Sequence, residues 1–138
     1  MPFTTYLDKS LVDSVFGDTA YAAPATLYVA LSTTTPTQAG ASFTEPSGSG
    51  YARVAVANST ANFGAAATQP ATGYEVVNAV ALAFPAATGA WGTVTYFGVF
   101  DAATGGNLLA YGALTTAQTI ASGDTASFAA SALTITLD

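Results

Sequence analysis

The sequence predicts an all-β fold, an antiparallel β-sandwich or jelly-roll-like barrel with one short N-terminal helix. Helical spacing of apolar side chains is confined to residues 3–17. From residue 24 onward the apolar residues fall into seven or eight short runs separated by Gly, Pro, Ser and Thr, as in sandwiches and barrels. A length of 138 residues suits one domain with a real core and is short for two. Residues 1–138 are therefore expected to form a single domain, helix 3–17 followed by β-sandwich 24–138.

The helix is expected over Phe3 to Phe16, where Leu7, Leu11 and Val15 recur every four residues and Val12 and Phe16 widen the stripe. Thr5 with Asp8 three residues later resembles a capping box, and Gly17 suits a left-handed C-terminal cap. About four turns is marginal alone, so the helix must dock on its own sheet or on a neighbouring subunit.

The strands are expected at Thr26–Ser32, Tyr51–Val56, Tyr74–Phe84, Thr93–Phe100, Asn107–Leu114 and Leu133–Leu137, with shorter ones near Gln118–Ile120 and Ala126–Phe128. In residues 91–114, alternation places Val94, Tyr96 and Phe100 on one face and Phe97 and Val99 on the other. Both faces are apolar, so this hairpin needs its own core on one side and a second layer or another subunit on the other. Asp101–Gly106 (DAATGG) is turn chemistry, an Asx acceptor followed by glycines that accept positive φ. Ala-Thr-Gly at 71–73, 87–89 and 103–105 recurs every sixteen residues, the spacing of a meander of hairpins. Thr33–Gly50 and Asn58–Gly73 read as long loops, which need a function or a partner to order them.

Charge narrows the function. Lys9 and Arg53 are the only cations against eight carboxylates, a net charge of −6, so the phosphate neutralisation that nucleic-acid binding requires is not available. Charged residues make up 7% of the chain, against about 25% ordinarily. Area scaling gives roughly 6,600 Å² of surface, about one charge per 660 Å², which favours a surface covered by partner subunits. No segment has the roughly 18 apolar residues of a membrane span and the N-terminus is unlike a secretory signal, so a soluble protein made in the cytoplasm is expected, with no membrane partner.

Without His or Cys, imidazole-based triads, thiolate nucleophiles and thiolate metal sites cannot be built. The eight acids, Glu45 and Glu75 among them, show no spacing that favours a glycosidase pair. Ser47–Gly50 and Thr104–Gly106 lack the Lys-Ser/Thr of a phosphate loop, and no acid cluster matches a Ca²⁺ loop. No catalytic residue, metal or cofactor is expected. Arg53 is expected to pair with a carboxylate, Glu45 or Glu75 or one across an interface. Trp91 and the tyrosines, at strand spacing beside Val and Leu, read as core rather than as sugar platforms.

The combination PATLYVALSTTTPT (24–37), EPSGSGYARVAV (45–56), FPAATGAWGTVTYFGVFDAATGGNLLAYGAL (84–114) and ALTITLD (132–138), with YLDKSLVDSVFG before TAY at 19–21, resembles a family of small virion proteins of tailed bacteriophages. Its members are labelled tail-fibre or head-decoration proteins. The resemblance implies a structural particle component and carries no catalytic residues. Because 138 residues show no heptads, Gly-X-Y repeats or repeated strands of a shaft, the expected role is a decoration or cement protein of the phage head, assembled in the host cytoplasm. It would be a homotrimer bound to the major capsid protein. The alternative is a tail-fibre or tail-tip adaptor. The candidate interface residues are Leu7, Leu11, Val15 and Phe16 on the helix and Phe43, Glu45 and Arg53 beyond it.

Overall fold

The computed structural model describes residues 3–64, 67–69 and 73–137. Helix α1 (Thr5–Phe16) is followed by β1 (Thr26–Ser32), β2 (Val54–Ala57), a one-turn helix α2 (Thr60–Phe63), β3 (Ala67–Gln69), β4 (Gly73–Val77), β5 (Leu82–Ala83), β6 (Gly92–Phe100), β7 (Leu108–Ile120), β8 (Ser127–Phe128) and β9 (Thr134–Leu137). All pairings are antiparallel, in a four-stranded sheet β2-β1-β6-β7 and two smaller sheets, β3-β4-β9 and β5-β8. This is the expected all-β sandwich with a short N-terminal helix.

The main core lies between the four-stranded sheet and the two smaller ones. Val29 and Leu31 of β1 and Val94 and Phe97 of β6 meet Leu82, Phe84 and Leu133 there, with Val76, Phe128 and Ile135 packed around them. Trp91 belongs to this core, edge-on to Tyr51 at 5.2 Å, its indole N–H donating to the Ser49 carbonyl. The other face of the four-stranded sheet carries a second, smaller core of Ala30, Phe100, Leu108 and Tyr111. Phe43 covers it, edge-on to Phe100 at 5.1 Å. The second layer that the two-faced hairpin called for is thus a loop of the same chain.

Val94 departs from the expected alternation. It shares the main core with Phe97, while Tyr96 and Phe100 face the second core. The cause is a bulge: Val94 pairs with Gln118 but Tyr96 pairs with Ala113, and such an irregularity changes which way the next side chains point. Across this bulge β7 absorbs both the 107–114 and 118–120 runs into one strand. The run at 74–84 splits instead. Fully buried Asn78 ends β4, its amide donating to the carbonyls of Val80 and Ala129 and its Oδ1 accepting from Leu133 N–H. The start of β2 also shifts, from the expected Tyr51 to Val54.

The sixteen-residue repeat does not make a meander. Residues 71 and 72 lie outside the described residues, and Thr88 and Gly89 lie between β5 and β6, which belong to different sheets. Among the described residues, the third copy turns a hairpin, β6–β7. There Asn107 donates from its backbone and its amide to the two Asp101 carboxylate oxygens, while Gly105 and Gly106 take φ of 60° and 72°. The segment 58–73 is likewise more than a loop, since it contains α2 and β3.

Thr4, not Thr5, caps α1. Its hydroxyl accepts from Leu7 N–H and also donates to the carbonyls of Leu108 and Leu109, so the anchor on β7 selects the cap and the Thr5–Asp8 box does not form. Gly17 has φ −114°, outside the left-handed region, which falls to Asp18 at φ 52°. Glycine is needed at 17 for closeness, because a Cβ there would sit 2.8 Å from the Asp13 carbonyl.

Candidate functional site

Two surfaces were marked by the sequence, and the structure treats them differently. The first is built from the long loop after β1. Ser32, fully buried, accepts from Thr44 N–H, and Thr33 N–H donates to the Thr44 carbonyl, closing the loop's base. Thr37 and Ala41 pair at its tip, and Gln38 reaches α1, accepting from Thr5 N–H. The loop is held by contacts within its own chain.

That closure brings Glu45, Tyr51 and Arg53 together. Arg53 Nε and Nη2 donate to Oε1 and Oε2 of Glu45 at 2.9 and 2.8 Å, a bidentate pair. Nη1 donates to the carbonyls of Ala102 and Gly105 at 2.7 and 2.9 Å, in the β6–β7 turn. The guanidinium lies 3.6 Å above the centre of the Phe100 ring, a cation–π contact. Tyr51 donates to Glu45 Oε1 at 2.7 Å and accepts from Leu31 N–H. Burial, followed by the bond to Glu45, pushes the Tyr51 hydroxyl far above its ordinary value. Each charged atom is committed to a neighbour in the chain, so this cluster is a clamp joining loop to hairpin. Gly98 completes it: a Cβ there would meet Phe43 Cε2 at 2.5 Å. Glycine inside VTYFGVF was the sequence signal for this close approach.

The second surface is α1. Leu7 is its one buried residue, and Leu11 is half-buried. Val12, Val15 and Phe16 are 57%, 70% and 86% exposed, forming an apolar face at the end of the helix away from its anchor. Lys9 sits on the helix paired with Asp13 one turn on. Of the expected interface residues, Val15 and Phe16 are open, Leu7 is inside, and Phe43, Glu45 and Arg53 are packed within the chain. Val12, read only as widening the stripe, belongs with the open pair. Among the described residues no three acidic side chains lie close enough to hold a metal.

No curated protein matches the chain. The family model described as podophage GP4 fiber I protein gp80 matches residues 2–136, nearly the full length. A sandwich whose Arg53–Glu45 pair is closed within the chain and whose helix leaves an apolar face uncovered suits a particle component, and the chain belongs to this gp80 family of phage fibre proteins as a structural protein of the virion.

Proposed function

We propose that the chain is a structural component of the phage tail fibre, built into the particle through the open face of α1. The observation that carries this reading is the row Val12, Val15 and Phe16, exposed on a helix whose other end is pinned to β7. Apolar surface of this kind marks interaction sites. The family description, which names a fibre, supports the tail over the head. A capsid cement contacting the major capsid protein has less behind it, because the argument against a shaft does not apply to a globular unit attached to one. The charge-poor surface and the helix face together support self-association, with a homotrimer as the proposed state. The chain's work is mechanical and needs no catalytic group or cofactor.

Quantitative mass spectrometry of purified virions, of tails and of DNA-filled heads stripped of tails tests the placement. The chain is expected in tails at a few copies per particle. Hundreds of copies in stripped heads would overturn the fibre reading in favour of cement.

A further inference from the structure

A groove of about 600 Å³ runs between β7 and the β8 segment. Its floor is apolar, with Phe97 and Ile120 of the main core and half-buried Phe128, whose ring meets Phe97 edge-on at 5.9 Å. Its walls carry Thr116, Gln118, Asp124 and Thr125, all exposed. A half-apolar cleft of this size is in the range of small-molecule sites.

Two features restrict what it takes. One is the bulge in β7, where residues 114–117 have only Thr95 opposite them. β7 ends its sheet, and a bulge at an edge leaves backbone polar groups unpaired while spoiling the edge for an added strand. An extended peptide is therefore the poorer fit, whereas a compact ligand with its own donors and acceptors can use those groups. The other feature is charge. Asp124 is the single ionisable side chain in the lining, and one of its oxygens already accepts from Ala121 N–H. With no cation in the groove and a net charge of −6, anionic ligands are repelled.

We propose that the groove binds an uncharged glycan segment, one sugar face resting on Phe128 and its hydroxyls exchanging hydrogen bonds with Thr116, Gln118 and Asp124. The site does not depend on where the chain sits in the particle, so its failure would leave the fibre reading standing.

The test is titration of the ¹⁵N-labelled full chain with uncharged trisaccharides (maltotriose, cellotriose, chitotriose and mannotriose), with sialyllactose and with a Thr/Ala-rich hexapeptide. Saturable amide shifts confined to 114–119 and 124–128 are expected with at least one uncharged sugar. Gln118→Ala and Thr116→Ala should each weaken that sugar tenfold or more with unchanged melting temperature. Absence of shifts with every uncharged sugar, equal shifts with sialyllactose or the peptide, or unaltered affinity in both variants would overturn the proposal.

Discussion

The chain's two cations sit in opposite environments. Arg53, its side chain 6% exposed, is held by Glu45, two turn carbonyls and the Phe100 ring. Lys9, 74% exposed, meets Asp13 one turn away on the surface of α1. The first links segments far apart in sequence, and the second links only neighbours. The loop was a candidate interface but closes on its own hairpin, while α1, part of the same short list, keeps its apolar face open. Polar groups that find complete partners inside the chain set its shape. Apolar groups left without cover are what remains for assembly.

Substitutions across the two regions separate these roles. Phe100→Ala should have the largest effect, about 3–5 kcal/mol in urea unfolding, because the ring lies between Arg53 and Phe43 in the second core. A loss below about 1 kcal/mol would mean that the clamp closes on little. Arg53→Ala comes next. Breaking a fully buried pair costs about 3–5 kcal/mol, and because Glu45 is a quarter exposed we expect about 2–3 kcal/mol, with Glu45→Gln adding little on top.

Tyr51 gives the clamp a pH signature. Its folded-state pKa is raised above the ordinary 10.0, so above about pH 10 the unfolded chain gives up the phenolic proton while the folded chain keeps it. Stability should be complete below that pH and fall as pH rises beyond it. Melting curves of wild type against Tyr51→Phe should show this slope flattening in the variant. On the helix the effects on stability shrink: Lys9→Ala should cost no more than about 0.5 kcal/mol. Phe16→Ser with Val15→Ser should leave the melting temperature near wild type. The same pair should abolish self-association in light scattering, and an unchanged oligomer would remove α1 from the assembly.

How much of this could be read in advance differs by element. β1 and β6 were legible because their β-branched and aromatic runs are bounded by turn residues, and the Asp101 turn because its chemistry is local. The bulge that moves Val94 was not, since it depends on how many residues of β7 stand opposite Thr95. Asn78 was hidden too: a polar residue in an apolar run does not announce that carbonyls fifty residues away will satisfy it. Arg53 and Glu45 were partly legible, as a scarce cation must find an acid, but their meeting over Phe100 rests on a loop closure no periodicity records. For α1 the apolar stripe was plain, and which part would be covered was decided by Thr4 on β7.

The closed clamp also shapes how the chain meets digestive enzymes. Trypsin cuts after Lys or Arg, and this sequence offers it two sites. One follows Lys9, within a helical turn. The other follows Arg53, whose side chain is locked beneath the hairpin turn and cannot enter a protease pocket while the clamp holds. Trypsin thus meets one exposed basic side chain, Lys9, and the bond after Arg53 reports on whether the loop is shut.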